Sequence, residues 1–437
     1  MKQFLLRQIQ LTLRSLAIRT LARFKPAVVA VTGSVGKSST KEMIYTVLSA
    51  FRSTRRNVGN FNGELGLPLT ILGDWTSEDL SVIARDAAVR PSTACKVLFF
   101  ARVIAISMAR LCVPRRLIRW FGGYPDILVL EYAADKPGDI KYLVEIAQPQ
   151  ISVLTAVGDV PVHIEFYDSP EAVLREKARI IGALSANGLA VVSADEERVR
   201  ACADGTRAAA LSFGFSEDAD MRIIDFENKL DVIDGVLRPI GITFKLGYEQ
   251  SFVPIRIGGT LGKTQAYAAA AAACVGLAFN LNLVQIAEAL AYHQVPAQRM
   301  RFLAGIHRST LIDDSYNASP LSLRSAIETV GAIKAKRKVA IIGDMKELGL
   351  WSAAAHREIG QLAGKVFDVL VAVGPESKVY ADLALKNRFS KKNVVHANKI
   401  EEVLPQLRDV IKEGDLVLIK ASHSVGLTKA VATLQEV

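Results

Sequence analysis

The chain has 437 residues, 50% of them hydrophobic and 22% charged, which describes a well-packed globular protein of two or three domains and excludes a disordered one. Lysine and arginine outnumber aspartate and glutamate by 54 to 44, and much of the surplus lies in the first 25 residues and in the stretch 96–119. No RNA-binding or helix-turn-helix signature accompanies that charge, so nucleic acid is not expected as a partner, whereas membrane headgroups or a phosphate-rich substrate remain open.

Residues 1–26 are basic and apolar and predict a helix. Arginines interrupt any signal-peptide core, so the segment is expected to stay on the protein. AVVAVT (27–32) then reads as a strand, GSVGKS as a glycine loop, and the residues after it as a helix with Met43, Ile44, Val47, Leu48 and Phe51 on one face. Strand, glycine loop and helix form the context of a phosphate-binding site. The first glycine of a Walker A frame would fall on Val31, leaving the shorter frame Gly33, Gly36, Lys37, Ser38. Backbone amides from Gly33 through Ser34 to Lys37 would cradle phosphate oxygens, Lys37 would reach the β- and γ-phosphates, and Ser38, followed by Ser39, would ligate Mg²⁺.

Residues 74–125 read as an insertion. Its most apolar run, 97–113, contains Arg102 and Arg110 and is too short and too charged to span a bilayer. Strand patterns at 126–133, 150–157 and 189–195 alternate with a helical pattern at 170–184, which predicts a mostly parallel sheet with helices on both faces. Short turn-rich strands from 205 to 257 read as an antiparallel section of the same domain, and the alanine-rich run 266–279 as a buried helix. From Arg299, strands at 309–314, 338–344, 369–374, 393–397 and 416–422 predict a doubly wound unit. The expected class is therefore α/β, with a basic helical segment (1–26), a central P-loop ATP-binding domain (27–298) and a C-terminal Rossmann-like domain (299–437). The cysteines, Cys95, Cys112, Cys202 and Cys274, are scattered with no C-x-x-C pair, which argues against a disulfide framework or structural zinc and fits a reducing cytoplasm.

Compact polar motifs stand at the ends of these strands: GNFNGELGLPLTIL (59–72), LEYAADKPGDI (130–140), TAVGDVPVH (155–163), LREKA (174–178), DDSYNASP (313–320), GDMKELG (343–349) and IKASHS (419–424). With TGSVGKSS, this set in this order resembles the Mur ligase family over residues 27–437, apart from the insertion. The resemblance implies phosphorylation of a peptide carboxylate by ATP, attack of an amine on the acyl phosphate, and release of ADP and phosphate. DDSYNASP and GDMKELG are similar to the branch that joins D-alanyl-D-alanine to a UDP-N-acetylmuramoyl tripeptide in peptidoglycan synthesis. It further implies that Glu131 and His163 sit at the magnesium site and that Lys177 becomes carbamylated to bind a second metal ion. Arg299, Asp314 and Asn317 would meet the nucleotide, with Gln265 near the adenine. Asn60 and Asn62, and Lys420, Ser422 and His423, would meet the substrates. Taken alone, Glu131 would be an edge residue, His163 a structural histidine, and Lys177 a surface lysine among the charges of its helix.

The sequence departs from the family pattern at Gly63, Gln265, Gln298, Ala421 and His423. The family's UDP-sugar-binding N-terminal domain is expected to be absent, because 26 residues precede the first strand. The two basic apolar segments would either pack together in its place or lie weakly on the inner membrane surface. The chain is expected to act as a monomer. A Mur-like ligase for a different carboxylate, or a catalytically idle nucleotide-binding scaffold, remain as alternatives.

Overall fold

The computed structural model describes residues 2–59, 61–83, 92–118, 123–233, 236–386 and 389–436. Two sheets organise it. The first contains β1 (Ala27–Thr32), β2 (Thr54–Arg56), β3 (Ile127–Glu131), β4 (Ile151–Leu154), β5 (Leu189–Ser193), β6 (Ala209–Gly214), β7 (Met221–Ile233), β8 (Val236–Tyr248) and β9 (Ser251–Gly258). Their order is β2-β3-β1-β4-β5-β6-β7-β8-β9, parallel as far as β7 and antiparallel through β8 and β9. The near-continuous apolar runs follow from this arrangement. A parallel strand covered on both faces cannot alternate polar and apolar residues, and Val29, Val31, Val129 and Val153 are fully buried on one side of the sheet while Ala30, Leu128 and Leu154 are buried on the other.

The alanine-rich helix Lys263–Ala278 has Ala268 through Ala273 buried without exception. Methyl side chains all round let it lie close against the helix Lys37–Ser49 on one face of the sheet, so the helix that starts at the glycine loop has a rigid neighbour. The opposite face carries the N-terminal helix Lys2–Phe24 and the insertion helix Thr93–Cys112. Both pack against the helix Gly66–Leu72, through Leu13, Leu16 and Ala17 and through Phe99, Phe100 and Val103. The two basic segments thus pack together. Among the described residues no helix is long and apolar enough to cross a membrane.

The second sheet contains β10 (Arg301–Gly305), β11 (Ser309–Asp313), β12 (Lys338–Gly343), β13 (Val369–Val373), β14 (Val394–Ala397) and β15 (Leu416–Lys420), in the order β10-β11-β15-β12-β13-β14. It is parallel except for β10, an antiparallel edge strand that sequence patterning does not reveal. In the first sheet β1 lies between β3 and β4, so connections leave it in both directions and open a crevice at its carboxyl end. The carboxyl ends of β11 and β15 face the same crevice from the second domain, because Asp314 and Lys420 line it together with the glycine loop.

Candidate active site

A cavity of about 780 Å³ occupies the crevice. The glycine loop forms its floor. Gly33 has φ 151 and Gly36 has φ 89, both in the region that L-residues avoid, and a Cβ on Gly33 would fall 2.0 Å from Thr155 Oγ1. The amides of Ser34 and Val35 donate to the carbonyl of Ala156 at 2.8 and 3.0 Å. This corrects the expectation that amides throughout the loop are available to phosphate: two of them pin the loop to the segment after β4. The amides left without an intrahelical acceptor are those of the first helical turn, Lys37, Ser38 and Ser39, where the helix dipole adds to the attraction for an anion. Lys37 curls back, donating to Gly33 O at 2.9 Å, and burial holds its pKa below the usual lysine value.

Glu131 ends β3 and is buried beside the loop, held by an Asn57 side-chain oxygen that accepts from its amide at 2.8 Å. Its Oε1 accepts from Asn62 at 2.9 Å, and its Oε2 is buried with no hydrogen-bond partner among the described residues. An orphaned carboxylate oxygen at the mouth of a phosphate loop is the setting a divalent cation completes. His163 has a left-handed backbone at φ 67. Its Nδ1 lies 2.6 Å from the Glu347 carboxylate of the C-terminal domain, itself at φ 64, and its Nε2 lies 3.4 Å from Asp135. The hydrogen bond to His163 holds the Glu347 carboxyl below its usual range.

Lys177 points inward from the helix Pro170–Gly182 although its neighbours in sequence are charged, and is 1% exposed. Among the described residues its Nζ has one hydrogen-bond acceptor, the carbonyl of Ala134 at 3.5 Å. Burial, and then the positive charge of Lys37, bring its pKa down to about 7, so a substantial share of the side chain is a neutral amine at neutral pH.

The second domain closes the cavity through Arg299. Its guanidinium stacks 3.8 Å over the Tyr316 ring and donates to Ser38 Oγ at 3.0 Å. Gln298 and Met300 on either side have φ 64 and φ 54, so the arginine is presented by a strained junction. Gln265 donates to the carbonyl of Arg299 at 3.1 Å, and its own side-chain oxygen is buried with no partner among the described residues. Asp314 pairs with Lys420 at 2.6 Å, and Lys420 also donates to Asn317 O at 2.7 Å. Burial lowers the Lys420 pKa against the pull of Asp314.

The cavity thus brings together Ser34, Gly36, Lys37, Ser38, Ser39, Asn62, Glu131, His163, Lys177, Gln265, Arg299, Asp314, Asn317 and Lys420. Gly33 does not line it, although the next residues of its loop do. Ser422 and His423 do not line it: Ser422 Oγ accepts from the Lys346 amide at 2.8 Å, and the His423 ring sits 5.8 Å from that of Tyr316. Asn60 lies outside the described residues. Reasoning from sequence passed over Asp135, which faces His163 and stands in the LEYAADKPGDI motif, and Gln10, which reaches the cavity from the N-terminal helix with no local signal.

Residues 114–276 match the Mur ligase middle domain, and residues 298–423 the Mur ligase glutamate ligase domain. The UDP-N-acetylmuramoyl-tripeptide–D-alanyl-D-alanine ligase of Mycobacterium leprae is 30% identical over 92% of this chain and 72% of its own length. The enzyme of that name from Bacillus subtilis is 27% identical over 97% of this chain and 79% of its own. The crystal structure of MurF ligase from Thermotoga maritima in complex with ADP superposes with a TM-score of 0.74 at 27% identity, covering 97% of this chain and 83% of that one. Two matched domains in the expected order, together with relatives alike over nearly the whole chain, show that this protein belongs to the Mur ligase family.

Proposed function

We propose that the chain is an ATP-dependent ligase of peptidoglycan-precursor synthesis in the cytoplasm, adding D-alanyl-D-alanine to a UDP-N-acetylmuramoyl tripeptide with release of ADP and phosphate. The observation that carries the reading is the convergence, in one cavity, of the glycine loop, the unpartnered Glu131 oxygen, the low-pKa Lys177 and an arginine from the second domain. The relatives named for that reaction supply its substrates. A free carboxylate is a poor acyl donor, so the tripeptide carboxylate attacks the γ-phosphorus of ATP and ADP leaves. The dipeptide amine then displaces phosphate from the acyl phosphate. Positioning and charge neutralisation make up most of such catalysis.

The chain's residues divide that work. The first-turn amides and Lys37 hold the phosphates, and Arg299 places a second positive charge over the loop. Ser38 and Glu131, with His163 lining the same cavity, would hold Mg²⁺, whose charge would offset that of the phosphates. Lys177 in its neutral form can take up CO₂, forming an N–C bond and releasing one proton, and the resulting carbamate would add a carboxylate facing the same place. Asp314, Asn317 and Gln265 would meet the nucleoside. Asn60, Asn62 and Lys420 would contact the substrates, Ser422 acting by holding the Lys346 loop beside them and His423 by backing Tyr316.

Phosphate release measured with ATP, Mg²⁺, the tripeptide and D-alanyl-D-alanine tests this. Release that requires both substrates is expected. Release with another carboxylate and not with the tripeptide would move the chain to a different ligation, and failure to bind ATP would leave a scaffold.

A further inference from the structure

We propose that the N-terminal helix and the insertion helix together form a docking surface for an anionic lipid bilayer. Charge is the first observation. Residues 1–25 and 96–119 each carry six lysines and arginines and no carboxylate, and the rest of the chain has 42 basic against 44 acidic groups. The basic character of the whole protein therefore resides in these two segments.

The insertion helix Thr93–Cys112 is apolar outside as well as inside. Phe99, Phe100 and Val103 face the core, while Ala94, Leu98, Ala101, Ala105, Met108 and Cys112 form an exposed row along the opposite side. Leu98 is 73% exposed. A helix covering a soluble domain ordinarily turns polar side chains outward. The N-terminal helix repeats the pattern in weaker form: Leu13, Leu16 and Ala17 face inward, and Phe4, Leu11 and Ile18 recur every seventh residue on the exposed side. The two helices are tied at their carboxyl ends, where Arg23 donates to the carbonyls of Leu111 and Val113. Arg14 and Arg102 are engaged by Glu145 and Asp79, and Arg110 donates to Leu72 O at 2.6 Å; among the described side chains Arg7, Arg19, Lys25, Lys96 and Arg116 are exposed charges around the apolar rows.

Apolar rows rimmed by lysine and arginine, on two segments that contribute no carboxylate of their own, match an interface that offers acyl chains and acidic headgroups together. A second copy of the chain would bring like charges face to face, and a nucleic acid would supply phosphates while leaving Leu98 and Met108 without an apolar environment. Neither helix qualifies to cross a bilayer, so they would lie in its surface. Gln10 of the N-terminal helix lines the cavity and donates to Glu64 at 3.0 Å, so docking would set the cavity next to the membrane.

Co-sedimentation of the full chain with phosphatidylcholine vesicles, with and without phosphatidylglycerol, tests the proposal. Partitioning at low salt is expected to favour the phosphatidylglycerol vesicles by about tenfold or more and to fall sharply at about 0.5 M NaCl. The triple variant R7E/R19E/R116E should bind at least about tenfold more weakly. The double variant L98Q/M108Q, unchanged in charge, should also lose binding, and both variants should keep wild-type ATP binding. Absence of binding at low salt, equal binding to the two vesicle types, or variants that bind like the wild type would overturn it. A concentration-dependent dimer that L98Q/M108Q dissolves, without vesicle binding, would assign the surface to a second copy.

Discussion

The two glycines of the loop are required for different reasons, and substitutions separate them. At Gly36 an added methyl would meet nothing closer than 3.9 Å, so Gly36→Ala carries only the backbone cost of φ 89, about 1–2 kcal/mol. At Gly33 the backbone cost of φ 151, about 1–3 kcal/mol, is joined by a collision. The new Cβ would lie 2.0 Å from Thr155 Oγ1 and 3.1 Å from Thr155 Cβ. Relieving it requires rotating a side chain that donates to Thr32 O or shifting the end of β4, an overpacking cost of about 1–3 kcal/mol. Gly33→Ala should therefore destabilise the protein by about 3–5 kcal/mol in urea unfolding without ligand. Thr155→Ala alone should cost about 1 kcal/mol for its lost hydrogen bond. In the double variant the 2.0 Å contact is gone, and the two losses should fall short of additivity by about 1–2 kcal/mol. Coupling within about 0.5 kcal/mol of zero, or Gly36→Ala as damaging as Gly33→Ala, would refute the reasoning.

Other expectations concern buried titratable groups and the contact between domains. Lys177→Met should abolish ligation in the phosphate-release assay. It should also raise stability at pH 7, because the folded state binds the Lys177 proton more weakly than the unfolded chain does. Between the folded value of about 7 and the ordinary 10.5 the unfolded state holds more protons, so wild-type stability rises with pH and the variant's advantage should shrink towards pH 10. His293, which does not line the cavity, is buried against Thr46 Oγ1, and burial takes its pKa from 6.5 to about 4. Stability should fall as pH drops from 6.5 to 4, by up to about 3 kcal/mol from this group, and His293→Gln should flatten that part of the pH–stability curve. Glu347→Gln keeps the shape of the contact with His163 and removes its charge. Because both side chains are partly exposed, kcat/KM should fall by tenfold or less while the melting temperature holds; a much larger loss would mean that Glu347 touches the reacting groups.

The strand, loop and helix from Ala27 to Ser49 were readable because each signal is local: a valine-rich run, two glycines, then apolar residues at helical spacing. The buried alanine helix was readable for the same reason. β10 was not, since Arg301–Gly305 owes its strand state to pairing with β11 rather than to its own residues. Lys177 marks the limit of pattern reading. Glu171, Arg175 and Arg179 on its helix suggest a solvated face, while the fold turns Glu176 and Lys177 inward, and only the likeness of LREKA to a family motif pointed there. Contacts made across the domain boundary, such as Glu347 with His163 and Arg299 with Ser38, join residues more than 180 positions apart and leave no trace in local spacing. The pinning of the Ser34 and Val35 amides is likewise a property of the folded loop alone.

Arg299 stands between two residues held at positive φ and reaches across to Ser38. A swing of the C-terminal domain would unwind that backbone tension and withdraw the guanidinium in the same movement. The grip on the nucleotide and the attitude of the domain would then form a single mechanical coordinate, with the tension acting as a return spring.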